Sequence, residues 1–303
     1  MIVTSDILAG LRTGYRAIFM QALGELAGTN TDWQKIATVV PSNTDRESYN
    51  WLGTIPAMVE WKDVRTLKDL SNYDYTLVNK HYEATLQVDR DALNDDKYGM
   101  IKARIRGLAR AYFKGITAGV FSQLDDGETL LAFDGAAFFA DTRVIGASAN
   151  IDNLLSMACS GSTTEVRLAL AAGVNAMRNF QDDQGNPMNL MPDTIVCGPE
   201  MEIMIKEALL PGVAGTRRPE MDYVKTIVVS PWIDLDQTDW YLLCTSEEIK
   251  PVLFQNRQDP EFVSLDDSKG ERAFIKRQFL YGVDARWATG FGDPRCAVKL
   301  KDA

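Results

Sequence analysis

Nucleophilic hydrolysis by a serine or cysteine needs an imidazole beside the nucleophile, and His81 is the one histidine in 303 residues. It lies in an alternating stretch, on the same side as Asn79 and Glu83, so the pattern predicts an exposed side chain on the polar face of a strand. Asp89, Asp91, Asp95 and Asp96 suggest calcium. An EF-hand would need an oxygen ligand two residues after Asp91 and then a glycine, where the chain has Leu93 and Asn94. Helix capping and the field of a helix N-terminus account for these carboxylates. The pairs Asp125-Asp126, Asp182-Asp183 and Asp266-Asp267 fall in predicted loops, and nothing selects one pair as the acid and base of a hydrolase. There is no GxSxG elbow, Walker A loop, HExxH, or GxGxxG followed by an acid. Cys159, Cys197, Cys244 and Cys296 are 38, 47 and 52 residues apart without a CxxC, which fits isolated reduced thiols. No catalytic, cofactor or metal residue is assigned.

The patterned charge lies elsewhere. Residues 97–124 place Ile101, Ile105, Leu108, Tyr112, Ile116, Val120 and Leu124 three or four apart, predicting a helix that Asn94-Asp95-Asp96 would cap. Lys97, Lys102, Arg104, Arg106, Arg110 and Lys114 give it six cations and no acid. Because the chain's net charge is −10, everything outside this segment carries −16. That acidic balance argues against a simple DNA-coating protein. Lys102, Arg106, Arg110 and Lys114, spaced by four, share one helix face. A solvated surface is the plain reading. The sharper one is a face that meets acidic segments of a neighbouring chain or a polyanion, since an unbroken ladder of like charge repels itself.

These residues require elements to hold them. The length suggests about two domains, and 46% hydrophobic with 24% charged residues is ordinary globular composition. No apolar run approaches the roughly 20 residues of a membrane span, and the N-terminus carries Asp6 and Arg12 where a secretory leader would be apolar. Leu8, Leu11, Tyr15, Ile18, Ala22 and Leu26 predict an amphipathic helix over 5–26, and the loop Gly28-Thr29-Asn30-Thr31 would detach it as an arm. Strands are predicted over 36–40, 46–52 and 73–89, with Val78, Tyr82, Ala84, Leu86 and Val88 on one face and Asn79, His81, Glu83, Thr85 and Gln87 on the other. The excursion between the last two carries Trp51, Met58 and Trp61, large apolar groups that need a core or a neighbouring chain. Downstream, helices are predicted over 163–180 and 199–210. Strands are predicted over 194–197, 224–229, 240–244, 252–254, 262–265 and 273–287. This is an α+β class.

IATVVPS at 36–42, Tyr49-x-Trp51-Leu52-Gly53-x-x-Pro56-x-Met58-x-Glu60-Trp61, Asp74-Tyr75 and Asp89-Arg90-Asp91 together resemble the major head subunit of Mu-like bacteriophages. Phe133-Asp134-Gly135 with Phe138-Phe139, and Gly290-Phe291-Gly292-Asp293-Pro294-Arg295, extend the resemblance over nearly the whole chain. The family often has a histidine soon after the paired phenylalanines; here Ala140-Asp141-Thr142-Arg143 follow, and no role is attached to them.

The resemblance implies the HK97-like capsid fold. It would comprise an N-terminal arm (1–35), an extended hairpin loop with peripheral-domain strands (36–90) and a spine helix of the peripheral domain (91–129). A mainly axial domain (130–250) and strands returning to the peripheral domain with a C-terminal tail (251–303) would follow. It implies a non-enzymatic shell protein that forms pentamers and hexamers of an icosahedral head around double-stranded DNA. Its partners would be itself, a scaffolding protein, a portal at one vertex and DNA held by weak non-specific contact, with no cofactor and no membrane. Assembly would occur in the bacterial host cytoplasm, and the product would reside in the virion. Trp51, Met58, Trp61, Lys102, Arg106, Arg110 and Lys114 are the subunit-interface candidates. Lys62 and Lys68 lie in the loop where some shells of this fold crosslink, but read as ordinary surface lysines. The alternatives are a hydrolase with an unrecognised carboxylate site, and a monomeric anion-binding module using Arg217-Arg218. Deleting residues 54–70 is expected to leave a soluble subunit that cannot close shells; particles of normal size by electron microscopy would overturn this.

Overall fold

The computed structural model describes residues 5–49, 75–95, 99–210, 223–233, 238–267 and 270–303. In chain order they form α1 (Ser5–Ala27), α2 (Asp32–Ile36), β1 (Ala37–Pro41), β2 (Arg46–Ser48), β3 (Thr76–Val78), β4 (Lys80–Asp89), α3 (Arg90–Asp95) and α4 (Met100–Asp125). Then come β5 (Leu154–Ser156), α5 (Thr163–Asn179), β6 (Thr194–Cys197), α6 (Glu202–Leu209), β7 (Thr226–Val229) and β8 (Trp240–Leu243). The chain closes with β9 (Val252–Leu265), α7 (Glu271–Lys276), β10 (Gln278–Phe291) and β11 (Ala297–Lys301).

Two larger sheets result, a four-stranded one in the order β1-β9-β10-β4 and a five-stranded one in the order β5-β11-β8-β6-β7. β2 and β3 make a small antiparallel pair beside them. The five-stranded sheet is apolar on both faces. In β8, Trp240 and Leu242 face α5 and α6, while Tyr241 and Leu243 turn toward α4 and the four-stranded sheet. The short run of uninterrupted apolar residues in β6 and β8 has this cause.

α4 links the layers. Its first half buries Ile101, Ile105, Leu108 and Ala109 against α1 and the far ends of β9 and β10. Its second half buries Ile116, Val120, Phe121 and Leu124 with Phe138, Phe139, Tyr241 and Trp287. α1 does not stand off as the Gly28 loop suggested. Leu8, Tyr15, Phe19 and Ala22 are buried, Tyr15 meets Tyr281 edge-on at 5.2 Å, and Arg12 pairs with Asp266 at 3.1 Å. The loop ends α1 at Ala27, but the apolar stripe of α1 still finds α4.

Other expectations are revised. Residues 90–95 form the separate helix α3, capped by Asp89, which accepts hydrogen bonds from Asp91 N and Ala92 N, and α4 begins after the left-handed Gly99. The alternation over 73–89 breaks between β3 and β4. Val78 is half exposed, while Asn79 is buried and donates to Ser42 Oγ and the Thr44 carbonyl. Residues 252–254 and 262–265 belong to one strand, β9. The pairing with β10 shifts across Asp259-Pro260, where a proline without an N–H is tolerated. Residues 273–276 are helical, ended by Arg277 in the left-handed region, so β10 starts only at Gln278.

The glycines of Gly290-Phe291-Gly292 admit close neighbours. A Cβ on Gly292 would lie 2.0 Å from the Lys250 carbonyl oxygen, and one on Gly290 would strike Leu77 and the Tyr75 hydroxyl. Gly292→Ala forces backbone apart, so it should destabilise the subunit toward the upper end of the about 1–3 kcal/mol typical of overpacking. Urea unfolding followed by tryptophan fluorescence would check this.

Candidate assembly interface

Three features of the structure bear on assembly: the roots of the 50–74 excursion, the junction between the sheets, and the basic face of α4. Trp51, Met58 and Trp61 fall outside the described residues, as do Lys62, Lys68, Lys97, Arg217 and Arg218. The points where the excursion leaves and rejoins the body are described, and they are clamped. The Tyr49 hydroxyl donates to Gln255 Oε1 at 2.7 Å, and Tyr49 N donates to the Tyr75 carbonyl at 2.7 Å. Gln255 Nε2 donates to Asn79 Oδ1 at 2.8 Å, and Phe291 N donates to the Tyr75 hydroxyl at 2.8 Å. Burial raises the Tyr49 pKa to about 12, with Glu47 adding to the shift, so the phenol stays a donor. Both roots are thus tied to the ends of β9 and β10.

The junction is polar and buried. Arg143 Nε lies 2.8 Å from Asp134 Oδ2, and its other nitrogens donate to the Phe138 and Ala137 carbonyls. Asn153 Nδ2 donates to the Phe138 and Pro294 carbonyls, joining this turn to the C-terminal strands. Arg295 makes a two-pronged pair with Asp293, including Nη2 to Oδ2 at 2.6 Å. Burial works against the Arg295 charge, and Asp293 more than offsets it, leaving the pKa raised. Lys299 Nζ reaches Glu128 Oε1 at 2.6 Å and Asp239 Oδ2 at 3.0 Å, and Lys301 takes the other Glu128 oxygen at 2.7 Å. This gives the Phe133-Asp134-Gly135 and Asp293-Pro294-Arg295 motifs a physical role. It also assigns a role within 140–143: Arg143 has one, and an arginine nine residues after a turn aspartate is the sign the sequence offers.

Several of the candidate carboxylates serve structure, and the histidine lies on the surface. His81 is exposed on β4, opposite Arg286. Asp182 accepts hydrogen bonds from Gln184 N and Asn186 N, a turn arrangement that lowers its pKa against the opposing effect of burial. Asp266 holds Arg12, and Asp91 holds Arg277 at 2.7 Å. Burial raises the Cys159 and Cys197 thiols to about 12 and Cys296 well above its usual value, which keeps them protonated. Cys244 and Cys296 are neighbours, Cys244 N donating to the Cys296 carbonyl at 2.9 Å. Among the described residues no cluster suits a metal ion, and no helix is long and apolar enough to cross a membrane.

On α4, Lys102, Arg106, Arg110 and Lys114 are all exposed along one side. Arg106 is paired with Glu25 of α1, and the Lys114 ammonium sits 5.2 Å over the Trp232 ring. Among the described residues Lys102, Arg104 and Arg110 have no ion-pair partner. Part of the ladder is therefore answered within the chain, and the rest is presented outward.

The chain matches the family model described as the Mu-like prophage major head subunit gpT over residues 8–165 and 222–303. It is 26% identical over 299 residues to the Mu-like prophage FluMu major head subunit of Haemophilus influenzae, covering 99% of this chain and 74% of that one. It is 26% identical over 301 residues to the major capsid protein of Escherichia phage Mu, covering 99% and 75%. Among solved structures, a chain of the bacteriophage JBD30 procapsid superposes with a TM-score of 0.60 at 23% identity, covering 99% of this chain and 77% of that one. A virus-like particle from Pyrococcus furiosus gives 0.56 at 11% identity, covering 95% and 98%. The shared fold is the HK97-like capsid fold.

The Glu128 cluster has a defined pH dependence. Burial raises the Glu128 pKa, but hydrogen bonds from Lys299 and Lys301 reverse this and leave it below 4.5. Burial lowers the Lys299 pKa, but bonds to Glu128 and Asp239 leave it above 10.5. A lowered carboxyl stabilises the fold above its unfolded pKa and loses that contribution as pH falls through the folded one; a raised lysine contributes below its unfolded pKa and loses it as pH rises through the folded one. The cluster should thus hold across neutral pH and weaken first on the acid side. Glu128→Gln is expected to flatten the acid limb of the unfolding midpoint below pH 4.5, measured by urea titration across pH.

Proposed function

Because the chain belongs to the Mu-like major head subunit family, we propose that it builds its phage head from pentamers and hexamers into an icosahedral shell around double-stranded DNA. It is a major capsid protein, a structural subunit of the virion and not an enzyme. The observation that carries the assembly reading is the clamp at the roots of the 50–74 excursion. Tyr49, Tyr75, Asn79 and Gln255 spend buried hydrogen bonds on holding the two ends of a segment rich in large apolar residues. Trp51, Met58 and Trp61 are then suited to anchor on an adjacent subunit, where aromatic groups supply most of the binding energy.

In this reading residues 1–35 are the arm and 36–90 the extended loop with its supporting strands. Residues 91–129 carry the spine helix, and 130–250 are mainly the axial part. In 251–303, β9 and β10 complete the four-stranded sheet with β1 and β4, and β11 lies in the five-stranded sheet with β8. Lys102, Arg106, Arg110 and Lys114 form an assembly face that meets acidic groups of another chain. A scaffolding protein during assembly, a portal at one vertex and assembly in the host cytoplasm complete the proposal. The acidic balance of the rest of the chain suits weak, non-specific contact with packaged DNA.

Negative-stain microscopy of the expressed chain is expected to show capsomers, shells or tubes; a monomer under all salt conditions would overturn the reading. Arg106→Glu combined with Arg110→Glu should impair assembly and alter its salt dependence, and unchanged assembly and salt response would remove the basic face from the interface.

A further inference from the structure

Two clefts, of 320 and 620 Å³, run end to end between the C-terminal half of α1 and the exposed side of α4, sharing Leu26 and Arg110 in their walls. Their floor on α4 is Ala103, Gly107 and Ala111, one helical turn apart, and a Cβ on Gly107 would meet no atom within 4 Å. Leu26 on one side and the Trp232 ring, 36% exposed, add apolar walls. Arg106, Arg110 and Lys114 form the rim. Glu25 is the one carboxylate among the described lining residues, and Arg106 already occupies it. From Ala103 to Thr117 the groove follows about 21 Å of helix, or about four turns.

We propose that this groove docks an acidic, helix-forming segment of a separate partner protein. An apolar ridge of that segment would lie on Ala103, Gly107 and Ala111 and against Trp232, with its carboxylates on Arg110 and Lys114. Charge complementarity selects an acidic occupant, because the unpaired rim is cationic and the lining offers no free carboxylate. The recessed apolar floor selects a peptide over duplex DNA. A duplex presents phosphates on a convex polar surface and would touch the rim while leaving the floor and Trp232 wet. Gly107 and its alanine neighbours let a helix backbone approach closely, the geometry of helix-in-groove recognition. The proposal rests on the reading of the basic face as an assembly surface and names what lies in it.

The test uses the full chain as soluble capsomers and fluorescence anisotropy of labelled probes. One probe is a peptide of about 14 residues with leucine and alanine on one helical stripe and glutamate flanking it. The others are the same composition scrambled and a duplex of about 20 base pairs. The patterned peptide is expected to bind at least about 10-fold tighter than the scrambled one. Gly107→Leu, which fills the floor, and Lys114→Glu should each weaken it by about 10-fold, and Arg104→Glu, outside the groove, by less than about 2-fold. Circular dichroism checks folding, and Trp232→Ala replaces Gly107→Leu if that variant does not fold. Equal binding of both peptides, no binding, or duplex binding weakened by Gly107→Leu and Lys114→Glu alike would overturn the proposal. So would Gly107→Leu abolishing self-association without peptide, which would make a second copy the occupant. Particle formation by the unmodified chain is scored separately by electron microscopy, so a chain that binds the peptide but makes no particles fails the capsid reading alone.

Discussion

The apolar face of α4 is the constraint on which the rest of the subunit depends. One continuous helix of 26 residues contributes to two cores, with Ile101, Ile105, Leu108 and Ala109 in one and Ile116, Val120, Phe121 and Leu124 in the other. Each larger side chain is worth about 1.5–3 kcal/mol when fully buried, and a helix cannot satisfy one core while sliding along the other. The four-stranded sheet, α1 and the five-stranded sheet are therefore held at fixed positions along a common rod. The same geometry turns the opposite face outward, where the arginines and lysines lie, so the inner packing decides which charges the subunit offers to others.

The junction that completes this frame is built from charges rather than apolar contacts. Buried ion pairs contribute little net stability, because removing two charges from water costs nearly as much as their attraction returns. Their geometry is demanding, however. Arg143 must find Asp134, Arg295 must find Asp293, and Lys299 must sit between Glu128 and Asp239. A slip of one strand register would strand several charges in the interior. In a subunit that repeats throughout a shell, such a device suits the need for one well-defined relation between sheets, and all of its residues fall within the segments that match the head-subunit family.

Legibility in the sequence followed the range of the interactions. α5 is readable because its signal is local, apolar residues recurring along 163–180; the structure ends it one residue earlier, at Asn179, and adds the cap in which Ser162 accepts from Glu165 N. β6 and β8 were readable as short apolar runs bounded by polar turns. The break at Asn79 was not, because its burial is compensated by Ser42, Thr44 and Gln255, the last 176 residues away. The sequence shows β9 as two short runs, 252–254 and 262–265, because the residues between them are mostly polar and include Pro260; its partner β10 shows that the ladder resumes beyond a bulge. The role of Arg143 is hidden in the sequence because nothing near it in the chain, apart from an aspartate at a turn, distinguishes it from a surface arginine.

By itself, then, the sequence determined the class, the long helix, the basic ladder and the order of motifs that marks a capsid subunit, since periodicity and motif order are properties of neighbouring residues. The tertiary structure decided that α1 lies on α4 instead of hanging free, that Arg106 and Lys114 have partners within the chain, and that Arg110 borders an open groove. Those outcomes depend on which surfaces meet across eighty or more residues of chain. Spacing along a sequence states which side chains share a face; it does not state what packs against that face.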